Sequence, residues 1–258
     1  MSQDHEQVVQ RRFGATASAY LTSAVHAQGA EFAALRAALA GQPDARVLDL
    51  GCGAGHVSFQ VADLAAGVVA YDLSAEMLAV VAESAAARGL GNIVTERGAA
   101  ERLPFADASF DFVFSRYSAH HWSDLGLALR EVRRVLRPGG RAAFIDVASP
   151  GRPLLDTYLQ TVEVLRDHSH VRDYSSAEWR RLVAEAGLDA GAQTMQRLRL
   201  EFASWVARMR TSELMRQAVL ALQQGVGEEV RRYFAVEDDG SFTVDVMVLW
   251  AEKSSQTV

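Results

Sequence analysis

The chain has 258 residues, of which 49% are hydrophobic and 22% charged, and its formal net charge is −6. This composition excludes a wholly disordered chain, and the negative charge offers no general attraction for nucleic acid or anionic lipid. Cys52 is the only cysteine, which excludes an intramolecular disulfide and a cysteine-rich zinc site. No apolar run reaches the roughly 18 residues of a membrane span, and the polar N-terminus lacks a signal-peptide segment. We therefore expect a cytoplasmic protein.

Short apolar strands alternate with helices through the first part of the chain. Apolar residues at helical spacing predict a first helix that ends at Leu39, before Gly41 and Pro43. Strands are then predicted at 46–50, 68–72, 93–95, 110–115 and 141–147, with helices between them at 56–66, 74–88 and 125–136. Such alternation is typical of a parallel sheet with helices on both faces.

The chain after Pro150 has a different pattern. Helices are predicted at 154–167 and 177–186, and an apolar helical stripe runs from Met215 to Phe234 with a break near Gly225. Alternating apolar residues from Phe242 to Trp250 predict a final strand, which we expect to rejoin the same sheet. This favours one domain over 1–258 rather than two. Its parts are an N-terminal helical segment (1–42), a cofactor-binding core (43–148), a helical cap with the substrate region (149–240) and the final strand (241–252).

A glycine turn at Gly51, Gly53 and Gly55 lies between the first strand and the next helix. Glycine lets the backbone turn tightly and lets a ligand approach closely, and the helix that follows offers unpaired N–H groups. Asp72 ends the second strand, 21 residues after Gly51. An acid at about this distance in a doubly wound sheet accepts hydrogen bonds from ribose hydroxyls. Together the two features predict a site for a cofactor that contains a nucleoside.

The form of the turn distinguishes two cofactors. A nicotinamide site needs glycine or alanine at position 56, where this chain has His56. The G-x-G-x-G turn preceded by Asp49 instead resembles the first motif of class I S-adenosylmethionine-dependent methyltransferases. Further segments resemble the later motifs of that family in order, at 69–74, 98–105, 110–113 and 136–141. The match covers 45–148 and is most similar to the group related to ubiquinone and menaquinone C-methyltransferases (methyltransferase type 11).

The resemblance implies a Rossmann-like, doubly wound α/β fold with a seven-stranded, mostly parallel sheet, helices on both faces and a helical cap. It also implies S-adenosylmethionine as the cofactor and S-adenosylhomocysteine as the product. The residues that it assigns to the cofactor are Gly51, Gly53, Gly55 and Asp49 at the amino-acid end, Asp72 at the ribose, Leu73, Met77, Ala100 and Glu101 around the adenine, the carbonyl of Ser115 near the ammonium, and Tyr20 at the carboxylate.

Ala99 departs from the family pattern. Many relatives have an acidic residue at this position, where it accepts a hydrogen bond from the adenine amino group. Alanine has no side-chain acceptor. Either a neighbouring group or water replaces it, or apolar contacts hold the adenine.

His120 and His121 follow the fourth predicted strand, at the edge of the sheet where ligands bind. Histidine exchanges protons near neutral pH, so either residue is a candidate general base. The alternative is that one of them caps a helix or packs under Trp122. Arg116 either binds an anionic or carbonyl-bearing substrate or lies at the surface. For Phe13, near the N-terminus, core packing is favoured.

We expect no metal site, because His168 and His170 are two residues apart and no H-x-x-x-H spacing occurs. The function predicted is methyl transfer from S-adenosylmethionine to a small, planar or hydrophobic acceptor by in-line displacement, with a histidine as the candidate base. No nucleic-acid partner is expected. The alternatives are a nicotinamide-dependent oxidoreductase and a non-catalytic cofactor-binding module. The acceptor atom and the oligomeric state stay open.

Overall fold

A computed structural model describes residues 4–14 and 29–255. Within these ranges seven strands form one sheet in the order β3-β2-β1-β4-β5-β7-β6. The strands are β1 (Arg46–Leu50), β2 (Gly67–Asp72), β3 (Ile93–Arg97), β4 (Phe110–Arg116), β5 (Leu136–Ala148), β6 (Asp189–Leu200) and β7 (Phe242–Glu252). Strands β1 to β5 pair in parallel, and β7 runs antiparallel between β5 and β6. The predicted seven-stranded, mostly parallel sheet is confirmed.

Ten α-helices occur in the described part of the chain, and 3-10 turns follow α3 (Ala62–Leu64) and β4 (Ala119–His121). The helices are α1 (His5–Gly14), α2 (Glu31–Leu39), α3 (His56–Val61), α4 (Ala75–Ala87), α5 (Leu125–Val135), α6 (Pro153–Arg166), α7 (Ser176–Glu185), α8 (Phe202–Arg208), α9 (Glu213–Gly225) and α10 (Glu228–Tyr233). None of the helices in 4–14 and 29–255 has the length and apolar character needed to cross a bilayer.

Both faces of the sheet are covered by helices. On one face, apolar residues of α2, α3, α6, α8, α9 and α10 form the largest buried cluster, with Leu35, Leu159 and Trp205 among its members. On the other face, α5 and α7 pack Leu129 and Trp179 against the sheet. Burial of these side chains from water is the main contribution to the stability of the fold.

Strand β6 is the strand that the sequence pattern did not predict, and it lies inside the segment expected to be a helical cap. It is an edge strand, paired along one side with β7, and most of its side chains are exposed. An edge strand exposed on its faces needs no apolar alternation, so its sequence lacks the usual strand pattern. The helices of the same segment pack directly on the sheet through the cluster described above.

The sheet topology creates the place for a ligand. Strand β1 is flanked by β2 on one side and by β4 on the other. Strands β2 and β3 are added on one side of β1 and strand β4 on the other, so the strand order reverses between β1 and β4. A crevice forms outside the carboxyl ends of parallel strands at such a point. Here those ends carry Leu50, Asp72 and Arg116.

Candidate active site

A cavity at the carboxyl ends of β1, β2 and β4 is lined by most of the predicted cofactor residues, and we call it the glycine-turn cavity. The predicted residues that line it are Asp49, Gly51, Gly53, Asp72, Leu73, Met77, Ala100 and Glu101. Four residues of α1 also line this cavity: His5, Glu6, Val9 and Phe13. No sequence pattern indicated a role for the first three.

Three predicted cofactor residues are not found in this cavity. Ser115 is buried within β4, and the residues that follow it, 116–118, line the cavity in its place. Gly55 faces away from the cavity, since a Cβ there would meet Val81 at 2.9 Å and Phe59 at 3.0 Å. Tyr20 lies outside the described residues.

Backbone geometry explains why glycine occupies the turn. Gly51 and Gly53 have φ angles of +71° and +50°, which side-chain-bearing residues rarely adopt. A Cβ on Gly51 would lie 1.9 Å from Ser118 Oγ, so only glycine permits this approach of the loop after β4. A Cβ on Gly53 would meet nothing within 4 Å, because this side of the turn faces the open cavity. The turn thus forms a cradle that a side chain would fill.

Asp72 ties the glycine turn to the start of α4. Its Oδ2 accepts a hydrogen bond from the N–H of Gly53 (2.8 Å), and its Oδ1 accepts one from the N–H of Ser74 (2.9 Å). Ser74 in turn caps α4, as predicted, by accepting from the N–H of Met77. Burial raises the pKa of Asp72. Each carboxylate oxygen has a second lone pair, so hydroxyl donors of a ribose are still accommodated.

Asp49 links the end of β1 to α3. Its Oδ2 accepts from the N–H (2.9 Å) and the Oγ (2.6 Å) of Ser58. Burial raises the pKa of Asp49 to about 7, although the bonds from Ser58 oppose this shift. A cation in the cavity would favour the ionised carboxylate. Ser58 was not singled out from the sequence, and its only signal is a serine in the first turn of the helix after the glycine turn.

Where the resemblance places the adenine, backbone groups carry the polar contacts near Ala99. Tyr71 Oη is within hydrogen-bonding distance of the carbonyl oxygens of Ala99 (3.2 Å) and Arg102 (3.3 Å), to which it donates. This contact ties the loop at 99–102 to strand β2. The carboxylate of Glu101 accepts from the N–H of Ser123 (2.7 Å) and so holds the loop before α5. The side chain of Glu101 is therefore engaged in structure, and its backbone borders the cavity.

The chemistry of the glycine-turn cavity fits S-adenosylmethionine. Asp49 and Asp72 provide two carboxylates, which suit a ligand that carries a sulfonium and an ammonium. The open cradle at Gly53 leaves room for the amino-acid end of the ligand to approach the backbone of the turn. Leu73 and Met77 offer apolar contact for a planar base.

A second cavity lies beside the first, and we call it the histidine cavity. Phe13, Tyr117 and His121 line both cavities, so the two spaces share a wall. The other residues that line the histidine cavity are His120, Val147, Glu163, Arg166, Asp167, Asp173, Leu198, Leu200, Trp205 and Arg208.

The two predicted histidines have different environments. The Nδ1 of His121 lies 2.9 Å from the carbonyl oxygen of Ser169, which only accepts, so Nδ1 carries the proton and Nε2 has the free lone pair. Burial lowers the pKa of His121 to about 3, with the neighbouring His120 adding to the effect, so His121 is neutral at pH 7. His120 Nδ1 lies 2.6 Å from Asp146 Oδ1. Burial lowers the pKa of His120, but the Asp146 carboxylate outweighs it and the net pKa is about 9.

The contacts of Arg116 exclude a surface position, and those of Phe13 show core packing. Arg116 is not at the surface, since its guanidinium lies 2.6 Å from Glu31 Oε1 in a pair whose side chains are both almost fully buried. It also borders the glycine-turn cavity. Phe13 packs on the core and its ring meets the edge of His121, with ring centroids 4.8 Å apart. Phe13 therefore combines packing with a place at the wall between the cavities.

The sequence did not reveal the charged residues of the histidine cavity. Glu163 and Arg166 form a buried ion pair of 2.8 Å on α6, and Asp167 accepts from Arg12 Nε of α1 at 3.2 Å. Asp173 is buried in the loop before α7. The one available signal was the position of Glu163 and Arg166 on α6 beside apolar Leu159 and Val162, which placed charge on the buried face of a helix.

Comparison with known proteins agrees with this geometry. A family model for the methyltransferase domain matches residues 48–144. YafE of Escherichia coli (strain K12), an uncharacterized protein, is 55% identical over 201 residues, which is 78% of this chain and 97% of YafE. YcgJ of Bacillus subtilis (strain 168), named an uncharacterized methyltransferase, is 32% identical over 224 residues, or 87% of this chain and 88% of YcgJ.

A solved structure and a named enzyme extend the comparison. The crystal structure of YcgJ superposes with a TM-score of 0.83 at 30% identity, and the match covers 87% of this chain and 98% of that one. The ubiquinone/menaquinone biosynthesis C-methyltransferase UbiE of Rubrivivax gelatinosus is 33% identical over 169 residues, or 62% of this chain and 64% of UbiE. These relatives do not favour the nicotinamide-dependent alternative. The chain belongs to the class I S-adenosylmethionine-dependent methyltransferases, in the group related to the ubiquinone and menaquinone C-methyltransferases.

Proposed function

We propose that this methyltransferase acts on a small-molecule acceptor that occupies the histidine cavity. The observation that carries the proposal is the shared wall of Phe13, Tyr117 and His121, which places a second, separate space directly beside the cavity that fits S-adenosylmethionine. The cofactor side comes mainly from 43–148. Most of the acceptor side comes from 149–240, through α6, β6 and α8.

The residues of the glycine-turn cavity would position the cofactor. S-Adenosylmethionine supplies, when bound, a methyl group already activated by the sulfonium. Asp72 is placed to accept from the ribose hydroxyls while it holds the turn through Gly53. Asp49 adds negative charge beside the cationic end. The chain thus contributes alignment of the donor, which for a displacement requires the reacting atoms about 3–3.5 Å apart.

The lining of the histidine cavity indicates an acceptor with two kinds of surface. Val147, Leu200 and Trp205 offer apolar contact, which suits the planar or hydrophobic body predicted from the sequence. Glu163, Arg166 and Asp173 add ionisable groups to the lining of the same cavity. We therefore propose an acceptor with a planar apolar body and a polar substituent. UbiE, a C-methyltransferase of ubiquinone and menaquinone biosynthesis, is a relative that supports a planar acceptor.

Of the two histidines, His121 is the one that we propose to receive a proton from the acceptor. It borders both cavities, and the carbonyl of Ser169 orients its ring so that the lone pair belongs to Nε2. His120 borders only the histidine cavity, and Asp146 holds its Nδ1. Phe13 stands against the His121 ring and would help to exclude water from the transfer path.

Calorimetric titration of the purified full chain with S-adenosylhomocysteine tests the cofactor side. We expect binding by the wild type, and a loss of about 100-fold in affinity in Asp72→Ala, because two hydrogen bonds to a charged group disappear. Asp63→Ala is the control, since Asp63 pairs with Arg36 at an exposed position away from both cavities. NADH should not bind. A folded wild type that binds NADH and no S-adenosylhomocysteine would overturn the proposal.

The acceptor is found by incubating the enzyme with a metabolite extract and S-adenosylmethionine that carries an isotopically labelled methyl group. Mass spectrometry should then show a labelled small molecule that is absent without enzyme. Cofactor binding with no labelled small molecule from a broad range of extracts would instead favour a non-catalytic binding module.

A further inference from the structure

Three metal-ligating side chains from separate elements meet at the wall of the histidine cavity. His120 lies in the 3-10 turn after β4, Asp146 near the end of β5, and Asp173 in the loop between α6 and α7. One ligand atom from each lies within 4.8 Å of the others. Backbone bonds hold these elements together, since the N–H of Val171 donates to the carbonyl oxygen of His120 at 2.8 Å.

Asp173 is the unusual member of this group, because its carboxylate oxygen Oδ2 is buried without a hydrogen bond. The residue is 1% exposed, and its Oδ2 has no hydrogen-bond donor. The nearest basic atom, His170 Nε2, is 3.9 Å away and bonds instead to Gln160 Oε1 at 2.9 Å. A buried oxygen of this kind is costly, and an ion is one of the few ways to satisfy it.

The backbone of Asp173 is nevertheless held firmly in place. Gln160 Oε1 accepts from the N–H of Asp173 at 3.0 Å, and Gln160 Nε2 donates to the carbonyl oxygen of Asp173 at 2.8 Å. This clamp on both sides fixes the residue while leaving its carboxylate directed at His120 and Asp146. A rigidly held but unsatisfied ligand is what a preorganised binding site requires.

We propose that His120, Asp146 and Asp173 bind one divalent cation of the manganese or zinc class. One imidazole nitrogen with two carboxylate oxygens is a donor set that such ions accept. Two ligands of one ion lie at most about 4.4 Å apart, twice a bond of about 2.2 Å, so the observed spacing requires only small side-chain movements. Binding of the ion releases the proton of the His120 imidazolium to solvent, and with the resulting neutral imidazole the two carboxylates balance the charge of the ion.

The surroundings leave this charge balance intact. Glu163 and Arg166 face the same cavity but neutralise each other through their ion pair. Asp167 is engaged by Arg12, and His170 Nε2 is engaged by Gln160 Oε1. The short spacings within 120–121 and 168–170 gave no sign of this site, since its ligands are distant in the sequence.

His120 and Asp173 both border the histidine cavity, so open coordination positions of the ion would face the acceptor. An ion there binds an oxygen of the acceptor, such as a hydroxyl or carboxylate, and fixes its orientation. This role rests on the methyl transfer proposed above, whereas binding of the ion itself does not.

The test uses the untagged full chain after dialysis against a chelator, with no cofactor added. Titration with MnCl₂, and separately with ZnCl₂, followed by calorimetry should show one ion per chain. Asp173→Asn and His120→Ala should each weaken binding at least about 30-fold, since even an outer partner of a ligand is worth about 10- to 100-fold. The matched controls Asp238→Asn and His168→Ala, both at exposed positions, should bind like the wild type.

Pulsed EPR of manganese bound to the wild type gives a readout for which no variant has to fold. We expect a ¹⁴N coupling from imidazole in the wild type and in His168→Ala, and its loss in His120→Ala. Bound manganese without ¹⁴N coupling in the wild type, equal affinity in Asp173→Asn and Asp238→Asn, or no ion bound by the folded wild type would each overturn the proposal. Any of these results leaves the S-adenosylhomocysteine titration unaffected, so the two proposals fail separately.

Discussion

The two cavities of this enzyme lie side by side but are built in different ways. The glycine-turn cavity is formed largely by contiguous motifs at the ends of neighbouring parallel strands, as in the run from Asp49 to Gly53 and at Asp72. The histidine cavity is assembled from α1, β5, α6, β6, α8 and the loop before α7, which are far apart in the sequence. The first has a conformation imposed by local backbone geometry, whereas the second depends on how distant elements pack.

This difference has a functional meaning. A family that keeps one cofactor and varies the acceptor needs a constant donor site and a variable acceptor site. The glycine turn tolerates few substitutions, because Gly51 has a positive φ and no room for a Cβ. The residues around the histidine cavity lie on helices and an edge strand, where side chains change without altering the backbone.

The largest effect is expected from a substitution of His121, which should reduce methyl transfer without reducing cofactor binding. In His121→Ala, labelling of the acceptor should fall about 100-fold or more, which is the usual contribution of a general base, while affinity for S-adenosylhomocysteine stays close to that of the wild type. Labelled-methyl assays and calorimetry on the same preparations measure both. His168→Ala, at an exposed position, should behave like the wild type. Undiminished labelling by His121→Ala would show that His121 is not the base.

An intermediate effect is expected from a matched pair of glycine substitutions. Gly53 and Gly41 both have positive φ angles and no atom within 4 Å of an added Cβ, but only Gly53 borders the glycine-turn cavity. Both alanine variants should lose similar stability, about 1–2 kcal/mol, from the left-handed backbone. Only Gly53→Ala should also lose affinity for S-adenosylhomocysteine, by about tenfold, which corresponds to about 1.4 kcal/mol.

Thermal unfolding and calorimetry measure the two quantities for this pair. Equal affinity in Gly53→Ala and Gly41→Ala would mean that the cradle at Gly53 does not contact the cofactor, and that the constant donor site lies elsewhere in the cavity.

The smallest effect concerns the charge of the glycine-turn cavity. Burial raises the folded-state pKa of Asp49 to about 7, above the roughly 3.9 of an unfolded aspartate. The folded chain thus binds more protons between about pH 4 and pH 7, and the contribution of Asp49 to stability falls as the pH rises through this window. In Asp49→Asn this dependence is absent.

The melting temperature of Asp49→Asn should therefore rise by several degrees relative to that of the wild type between pH 4.5 and pH 7.5. Above about pH 8 the difference should become constant, because Asp49 is then ionised in both states. Differential scanning fluorimetry across this range, without ligand, makes the measurement. A difference that does not change with pH would show that Asp49 keeps an ordinary pKa.

The sequence predicted the parts of the fold in which local pattern and tertiary context agree. Strands β1, β2 and β4 are buried apolar runs, and Ser74 caps α4 where the pattern placed it. Strand β6 was missed, since an exposed edge strand is held by its ladder to β7 and not by burial of its own side chains. Gly55 and Ser115 belong to the sequence motifs but do not line the cavity. Which way a residue of a motif faces depends on the packing around it, as at Gly55, which faces Val81 and Phe59.

The amino-acid sequence by itself determined the cofactor side: the tight turn at 51–55, the acid at the end of β2 and the parallel order of the strands that brings them together. These follow from φ angles, hydrophobic period and chain direction, which act over a few residues. The tertiary structure alone decided that Asp146 meets His120, that Asp173 Oδ2 is buried without a donor and that ionisable residues line the histidine cavity. Such contacts join positions that no local rule relates, since they arise only when helices and strands pack.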